Sequence, residues 1–156
     1  MRRKDREITD KNKIREIINA CDCCRIGFCD GGDVYIVPLS FGHTEQDGRY
    51  TFYFHGAKAG RKFDLLQASP RVGFEMDTGY AIVPGKDAAS CSARFQSIIG
   101  NGIAEIVTDE AERIAGLCAL MRRNTGKAVT EFPKAALAET CVFKLTVDSL
   151  SCKEHE

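Results

Sequence analysis

The sequence predicts one domain, residues 1–156, folded as an antiparallel barrel of six or seven β-strands with helices at its periphery. Segments rich in aromatic and β-branched residues recur along the chain, as is typical of strands. The run Asp30-Gly31-Gly32-Asp33 joins two of them, which indicates a hairpin. The helical patterns are too few to alternate with the strands as βαβ units would. A mainly β, antiparallel class follows.

The first half of the chain predicts one helix and three strands. Thr9 or Asp10 is placed to cap a helix whose apolar residues have helical spacing, at Ile14, Ile17, Ile18 and Cys21. Strands are predicted over three stretches, 25–29, 34–40 and 50–55. The polar stretch 42–49 predicts a loop. Pro38 favours an edge or a bulge, because it removes one donor from a sheet.

The second half predicts three helices among the remaining strands. A basic helix is predicted over 57–68, ending before Ser69-Pro70. Strands are predicted over 71–77 with a continuation over 80–83, over 95–107 with a break at 100–102, and over 141–147. Asp109 and Glu112 form a capping pattern for a helix whose predicted apolar face is Ile114, Leu117, Cys118 and Met121. Pro133 is suited to open a short helix through Ala138.

Composition excludes several classes of protein. Positive and negative side chains balance at 22 each, so no overall field attracts nucleic acid. No apolar run approaches the roughly 20 residues needed to cross a bilayer. The charged N-terminal stretch has no apolar region behind it and is not a secretory signal. We therefore expect a cytoplasmic protein that binds neither nucleic acid nor membrane.

The eight cysteines predict free, mostly structural thiols. Cys21, Cys23 and Cys24 cluster, but no second pair stands at a spacing that zinc requires, so no metal site is predicted. Redox reactivity or adventitious metal binding at this cluster is the alternative.

The most distinctive segment leads from a predicted strand through His55-Gly56 into a basic helix. A glycine turn frees backbone N–H groups, and a helix start adds partial positive charge. Three cations follow within five positions, at Lys58, Arg61 and Lys62. This pattern favours a phosphate site. The alternatives are that the cations form a solvated helix face and that His55 is a core histidine bonded to a carbonyl.

Three motifs, in this order and spacing, resemble the FMN-binding split-barrel proteins related to pyridoxamine 5'-phosphate oxidase, and within them the nitroimidazole-resistance (Nim) branch. The motifs are Val37-Pro38-Leu39-Ser40-Phe41, then Tyr53-Phe54-His55-Gly56-Ala57-Lys58 with Lys62, then Gln96-Ser97-Ile98-Ile99-Gly100. The resemblance covers nearly everything from the first helix to the last strand. It implies a split barrel and a homodimer that holds two FMN molecules in grooves between the subunits.

The resemblance also implies which residues bind the FMN. The edge of the isoalloxazine ring would be met by Pro38, Leu39, Ser40 and Phe41. The ribityl phosphate would be surrounded by His55, Gly56, Ala57, Lys58 and Lys62. The strand after the surface loop would reach the flavin with Gln96, Ser97, Ile98 and Ile99. The chemistry of the residues agrees for the phosphate, because a dianion favours two or three cations, and two lysines four apart on a helix project from one side.

The activity that the resemblance implies is an FMN-dependent oxidoreductase, passing electrons from NAD(P)H to a small acceptor such as a nitroimidazole. The sequence offers only His55 as a candidate proton donor. True pyridoxamine 5'-phosphate oxidases end in a segment bearing arginine and histidine, whereas residues 150–156 contain no arginine, which argues against vitamin B6 oxidation. The alternatives are an FMN storage or redox-sensing protein without turnover, and a haem-binding relative using His43, His55 or His155, the last in a tail expected to fray.

Overall fold

The computed structural model describes residues 3–155 and has a mainly β architecture. The strands are β1 (Glu7–Ile8), β2 (Cys24–Asp30), β3 (Asp33–Leu39), β4 (Gly42–Gln46), β5 (Arg49–Ala57), β6 (Arg71–Val83), β7 (Ser92–Ile106) and β8 (Thr140–His155). The helices are α1 (Lys11–Ala20), α2 (Arg61–Ala68), α3 (Glu110–Thr125) and α4 (Lys134–Glu139), with a short 3-10 helix at Lys4–Arg6.

The strands form one antiparallel sheet in the order β3-β2-β6-β7-β8-β5-β4, and β1 pairs with the end of β8. The predicted class, a mainly β split barrel with peripheral helices, is confirmed. The long strands β6 and β7 pair with a register shift after Thr78, and β7 shifts against β8 after Asn101. The second shift lies at the predicted break, and such irregularities bend long strands into a barrel.

The core lies inside the barrel and is rich in aromatic residues. Its largest fully buried side chains include Phe28, Phe41, Phe52, Phe54 and Phe143. A smaller apolar cluster lies beneath α3 and contains Val107, Leu117, Leu120 and Val142. None of the residues of α4 is fully buried, and α4 contacts the smaller cluster through the half-buried Leu137.

Both predicted N-caps are confirmed. The carboxylate of Asp10 accepts from the Lys13 N–H at 2.8 Å, and that of Asp109 accepts from the Glu112 N–H at 2.8 Å. The predicted face of α3 is partly wrong, because its buried residues are Gly116, Leu117 and Leu120. A Cβ at Gly116 would lie 2.6 Å from the Tyr53 ring, so glycine lets this face approach β5. No helix within residues 3–155 is both long and apolar enough to span a membrane.

Three boundary predictions were wrong. The stretch predicted as a loop over 42–49 contains β4, which pairs with β5 through a turn at Asp47-Gly48, where both residues have positive φ. The basic helix begins at Arg61 and not at residue 57, because β5 continues to Ala57 and Gly60, at φ 99°, serves as the N-cap. The last strand continues to His155, since β7 pairs with it along its length.

Candidate functional site

A cavity of about 280 Å³ opens where β3 and β5 end beneath α3 and α4. Gly42 pairs with Tyr53, and continuing this register places Ser40 opposite His55, so both line the cavity. Asn124 and Thr140 add two further polar groups. The remaining lining is apolar and comes from Leu117, Leu120, Met121, Phe132, Ala136 and Leu137. A largely apolar cavity with a few polar groups is the usual form of a small-molecule site.

The amine of Lys62 lies against Gly56. A Cβ at Gly56 would be 2.7 Å from the Lys62 Nζ, so this close approach requires glycine. The same Nζ is 5.6 Å from the centre of the Phe143 ring. Lys62 is half-buried, and burial lowers its pKa. Among residues 3–155 it has no hydrogen-bond or ion-pair partner, so its charge is available to an anion.

The other two cations of the predicted phosphate segment are engaged. Arg61 forms an ion pair with Asp30 at 2.5 Å, and its guanidinium lies 4.3 Å from the centre of the Tyr35 ring. Lys58 donates to the carbonyl of Ala138 at the end of α4. Because the helix begins at Arg61, Lys58 lies in the loop before it and not on the same helical face as Lys62.

Arg113 is a site residue that the sequence reasoning missed. It lies in the first turns of α3 and donates to the carbonyls of Leu137 and Thr140, at 3.0 Å for the latter. Together with Lys58 it lines a second cavity of about 250 Å³ beside Cys141. No motif signals this position, because Arg113 is 55 residues from Lys58 in the sequence and meets it only in the fold.

The predicted ring-binding segment has mixed surroundings. Pro38 is exposed and pairs with Arg25, and Leu39 is half-buried at the end of β3. Phe41 is fully buried, packs edge-on against Phe52 at 5.6 Å between ring centres, and belongs to the core. Within this segment, Ser40 is the residue that reaches the cavity.

The predicted segment 96–99 lies far from His55 within one chain. On β8, Gly56 pairs with Cys141, whereas Ile98 pairs with Cys152. Eleven residues of strand separate these rows, a distance on the order of 30 Å if the strand were straight. Gln96 donates to Glu154, Ile98 is fully buried and Ile99 is 55% exposed. A single chain therefore does not gather all the predicted contacts around one ligand.

Four of the cysteines are buried as structural thiols, whereas Cys29 and Cys91 are exposed. Cys21, Cys24, Cys141 and Cys152 are buried, and burial raises the pKa of Cys21 to about 12 and that of Cys152 to about 11. Such thiols stay protonated and unreactive at neutral pH. No group of three potential metal ligands occurs within the described part of the chain.

Two of the three histidines are enclosed. The imidazole of His43 is half-buried between Phe41, Tyr50 and Phe52, and burial lowers its pKa. His155 lies at the end of β8, where it pairs with Phe95 of β7, and its Nδ1 lies 2.6 Å from the carbonyl oxygen of Ala93, so the expectation of a frayed tail is wrong. His55 is the exposed histidine, and it faces a cavity.

The barrel topology and the glycine-lysine site define a class of protein. The chain belongs to the pyridoxamine 5'-phosphate oxidase family, whose sequence profile matches residues 10–154. It is similar to the structure of a candidate 5-nitroimidazole antibiotic resistance protein from Bacteroides thetaiotaomicron, at 31% identity over 95% of this chain and 86% of that chain, with a TM-score of 0.81. The predicted family and branch are thereby confirmed.

Two further structures share the fold at lower identity. The flavocytochrome Anf3 from Azotobacter vinelandii is 21% identical, covering 100% of this chain and 72% of that one, with a TM-score of 0.80. The FAD and haem binding protein from Mycobacterium smegmatis is 20% identical, covering 97% and 74%, with a TM-score of 0.82. No curated protein matches the chain.

Proposed function

We propose that this protein binds FMN as a homodimer and passes electrons from NAD(P)H to a small acceptor, a nitroaromatic such as a nitroimidazole. The Bacteroides structure is named as a candidate 5-nitroimidazole resistance protein, which supports this choice of acceptor. Two relatives of the same fold are named as flavin proteins, which supports a flavin. The cytoplasmic location predicted from the sequence is consistent with NAD(P)H as the donor.

The observation that carries the proposal is the Lys62 amine. Folding removes part of its hydration, and no acceptor in residues 3–155 replaces it. A half-buried charge without a partner is costly, so an anion at this point would stabilise the fold. Gly56 leaves the space that such an anion would share with the amine. These residues fit a phosphate group.

The separation of the predicted contacts supports a dimer. One chain places Ser40 and His55 at one cavity but leaves residues 96–99 at the far end of β8. A second copy related by a two-fold axis would bring its own 96–99 segment to the first copy's cavity. A flavin long enough to touch both sets would then lie between subunits.

A sheet face that carries exposed apolar side chains around the Arg25–Glu75 ion pair is available for that dimer. Val34 and Ile36 are 70% and 61% exposed, and Ile99 is 55% exposed. Across the sheet, Pro38 pairs with Arg25, Arg25 pairs with Glu75, and Glu75 pairs with Ile99, so the side chains of this row lie on one face. Ile36 precedes Pro38 by two residues on β3, so its side chain lies on the same face. Exposed patches of this kind mark interaction sites. We expect an Ile36→Glu, Ile99→Glu double variant to sediment as a monomer and to lose FMN. A dimer that survives the double change would rule out this face.

In this proposal bound FMN supplies the electron transfer, and the protein binds and orients it. Lys62 and Lys58 hold the phosphate. Ser40 donates or accepts a hydrogen bond at the cavity. The apolar residues of α3 that line the cavity would exclude water from a bound ring, and His55 would be the group available to give a proton to the acceptor.

The decisive experiment is an absorption spectrum of the purified protein with identification of the released chromophore. We expect the flavin spectrum of FMN, bleaching on anaerobic addition of NADH or NADPH, and reoxidation by a nitroimidazole. Release of FAD would contradict the terminal-phosphate site. Bound FMN that neither donor reduces would favour the storage or sensing alternative instead.

Haem is the second candidate, because His55 offers an imidazole to a largely apolar cavity. The names of the Azotobacter and Mycobacterium relatives include haem binding or a cytochrome, at identities that establish the fold alone. A Soret band on haemin titration that disappears in His55→Ala and persists in His43→Ala would establish this candidate. An unchanged band in His55→Ala would dismiss it.

A further inference from the structure

The last turn of α4 lies between two cations that have no carboxylate partner. Lys58 donates to the carbonyl of Ala138, and Arg113 donates to the carbonyls of Leu137 and Thr140. Neither cation forms an ion pair within residues 3–155. Their charges are therefore met only by the partial negative charge of a short helix end.

Lys62 completes a group of three cations around Cys141. Gly56 pairs with Cys141 across β5 and β8, and the Lys62 amine lies against Gly56. Lys58 and Arg113 line the cavity that contains Cys141. The electrostatics agree with this placement, because burial raises the pKa of the Cys141 thiol and Lys62, Lys58 and Arg113 all oppose that rise. Three separate elements thus direct positive charge to one point.

The contacts that keep α4 in place are weaker than the hydrogen bonds that Lys58 and Arg113 would form with a phosphate. No residue of α4 is buried, and only Leu137 packs against the small apolar cluster. Its carbonyls are neutral acceptors, whereas phosphate oxygens carry charge and form hydrogen bonds roughly twice as strong. An anion that reaches Lys58 and Arg113 should therefore replace the carbonyls.

We propose that the C-terminal carbonyls of α4 and a phosphate group compete for Lys58 and Arg113, so that a phosphate-bearing ligand releases α4 as a lid. The identification of the ligand as FMN depends on the proposed function above. Because Ala136 and Leu137 line the larger cavity, releasing α4 would open one wall of it. Arg113 thereby becomes a phosphate-binding residue.

Hydrogen–deuterium exchange of the full-length protein tests this directly. The amides to follow are those of α4, where the Leu137 N–H bonds to the Pro133 carbonyl at 3.1 Å. We expect FMN, and inorganic phosphate at high concentration, to speed their exchange by about tenfold or more, the factor that corresponds to losing a hydrogen bond from a charged donor. Riboflavin, which lacks the phosphate, should leave these amides unchanged.

Variants provide an independent readout. Arg113→Gln and Lys58→Ala should each speed exchange in α4 without any added ligand. Arg113→Gln should also weaken FMN by roughly tenfold and leave riboflavin unaffected. Arg122→Gln is the matched control, since Arg122 is exposed on the same helix and forms no side-chain bond within residues 3–155, and it should change neither quantity.

The outcomes separate this proposal from the flavin function. If FMN binds while α4 exchanges more slowly or at the same rate, the lid is refuted and the flavin function stands. If no flavin binds but phosphate still speeds exchange in α4, the flavin function fails and the anion site stands. If no ligand changes exchange in α4, the anion site itself is refuted.

Discussion

Two arginines of α3 make the same kind of contact at opposite ends of that helix. Arg123 donates to the carbonyls of Ile18 and Cys21, at the C-terminal end of α1. Arg113 makes the equivalent pair of bonds to α4. In both cases the two carbonyls are three residues apart and the second belongs to the residue that caps the helix.

The surroundings of the two arginines differ. The Arg123 guanidinium lies 3.8 Å from the centre of the Phe41 ring, and Ile17 and Ile18 of α1 are buried in the core beside it. Both arginines line a cavity, Arg123 with His43 and Arg113 with Lys58, but α4, the helix that Arg113 holds, has no fully buried residue and packs through the half-buried Leu137. The same contact should therefore be a structural clamp on α1, which is buried in the core, and an exchangeable one on α4, which is not.

The largest predicted effect is on the free energy of unfolding, and it differs between the two arginines. Arg123→Ala removes two hydrogen bonds from a charged donor and a stacked contact, so the free energy of unfolding should fall by about 3–4 kcal/mol. Arg113→Ala should cost about 1 kcal/mol or less, because α4 detaches without exposing core. Urea denaturation of both variants measures the difference. Equal losses would mean that α4 is as firmly held as α1.

The cations around Cys141 should matter more for ligand affinity than for stability. Replacing both Lys58 and Lys62 by alanine should weaken FMN by about 2–4 kcal/mol, with little effect on riboflavin. The stability of the protein without flavin should change little, because removing Lys62, a half-buried cation without a partner among residues 3–155, offsets the loss of the Lys58 bond to Ala138. Fluorescence titration with both flavins measures this, and Lys86→Ala is the exposed control. Equal losses for FMN and riboflavin would place both lysines away from the phosphate.

Two glycines sharpen the comparison further. A Cβ at Gly42 would lie 2.4 Å from the Leu120 backbone nitrogen, which cannot move aside, so Gly42→Ala should cost about 1–3 kcal/mol of stability. A Cβ at Gly56 would meet only the mobile end of Lys62. Gly56→Ala should therefore leave the urea midpoint nearly unchanged while displacing the amine and weakening FMN. A large stability loss in Gly56→Ala would show that the lysine is fixed.

Helix α1 and the starts of α1 and α3 could largely be predicted from the sequence. The apolar spacing of α1 and the caps at Asp10 and Asp109 depend on neighbouring residues, and local patterns of that kind are legible in a sequence. The strand, glycine and lysine order around His55 predicts a phosphate site, which stays a prediction, and of its residues His55 lines the cavity of about 280 Å³. Phe41 shows the limit, because an aromatic residue after a strand has the same pattern whether it faces a ligand or the core.

The surroundings of Lys58 and Arg113 could not be predicted in the same way. The sequence predicts Lys58 on a helix, because it does not show that β5 continues to Ala57, a boundary that the pairing of β5 with β8 decides. Arg113 meets Lys58 only after α3 packs on the sheet. The carbonyls that bind both cations carry no sequence signal at all, since every residue has one.

The smallest predicted effect is a dependence of stability on pH, and it concerns His43, which lies near Arg123. Burial and the nearby Arg123 guanidinium lower its pKa below the ordinary value, with Glu45 opposing. The unfolded chain therefore takes up a proton near pH 6.5 that the folded chain refuses, and the unfolded state binds more protons in this range. The free energy of unfolding should fall as the pH drops below about 6.5, until folded His43 itself becomes protonated.

Urea midpoints between pH 7.5 and 5.5 measure this loss against His43→Gln, which should show a smaller decline because it lacks the titrating group. His55→Gln is the matched control, since His55 is exposed beside the open cavity, and it should decline as the unchanged protein does. The difference between the His43→Gln and His55→Gln profiles reports the His43 imidazole together with its effect on Glu45. If His55→Gln flattened the dependence of the urea midpoint on pH and His43→Gln did not, the pH-sensitive group would be His55 at the cavity. The region around His43 and Arg123 would then owe its stability to packing alone.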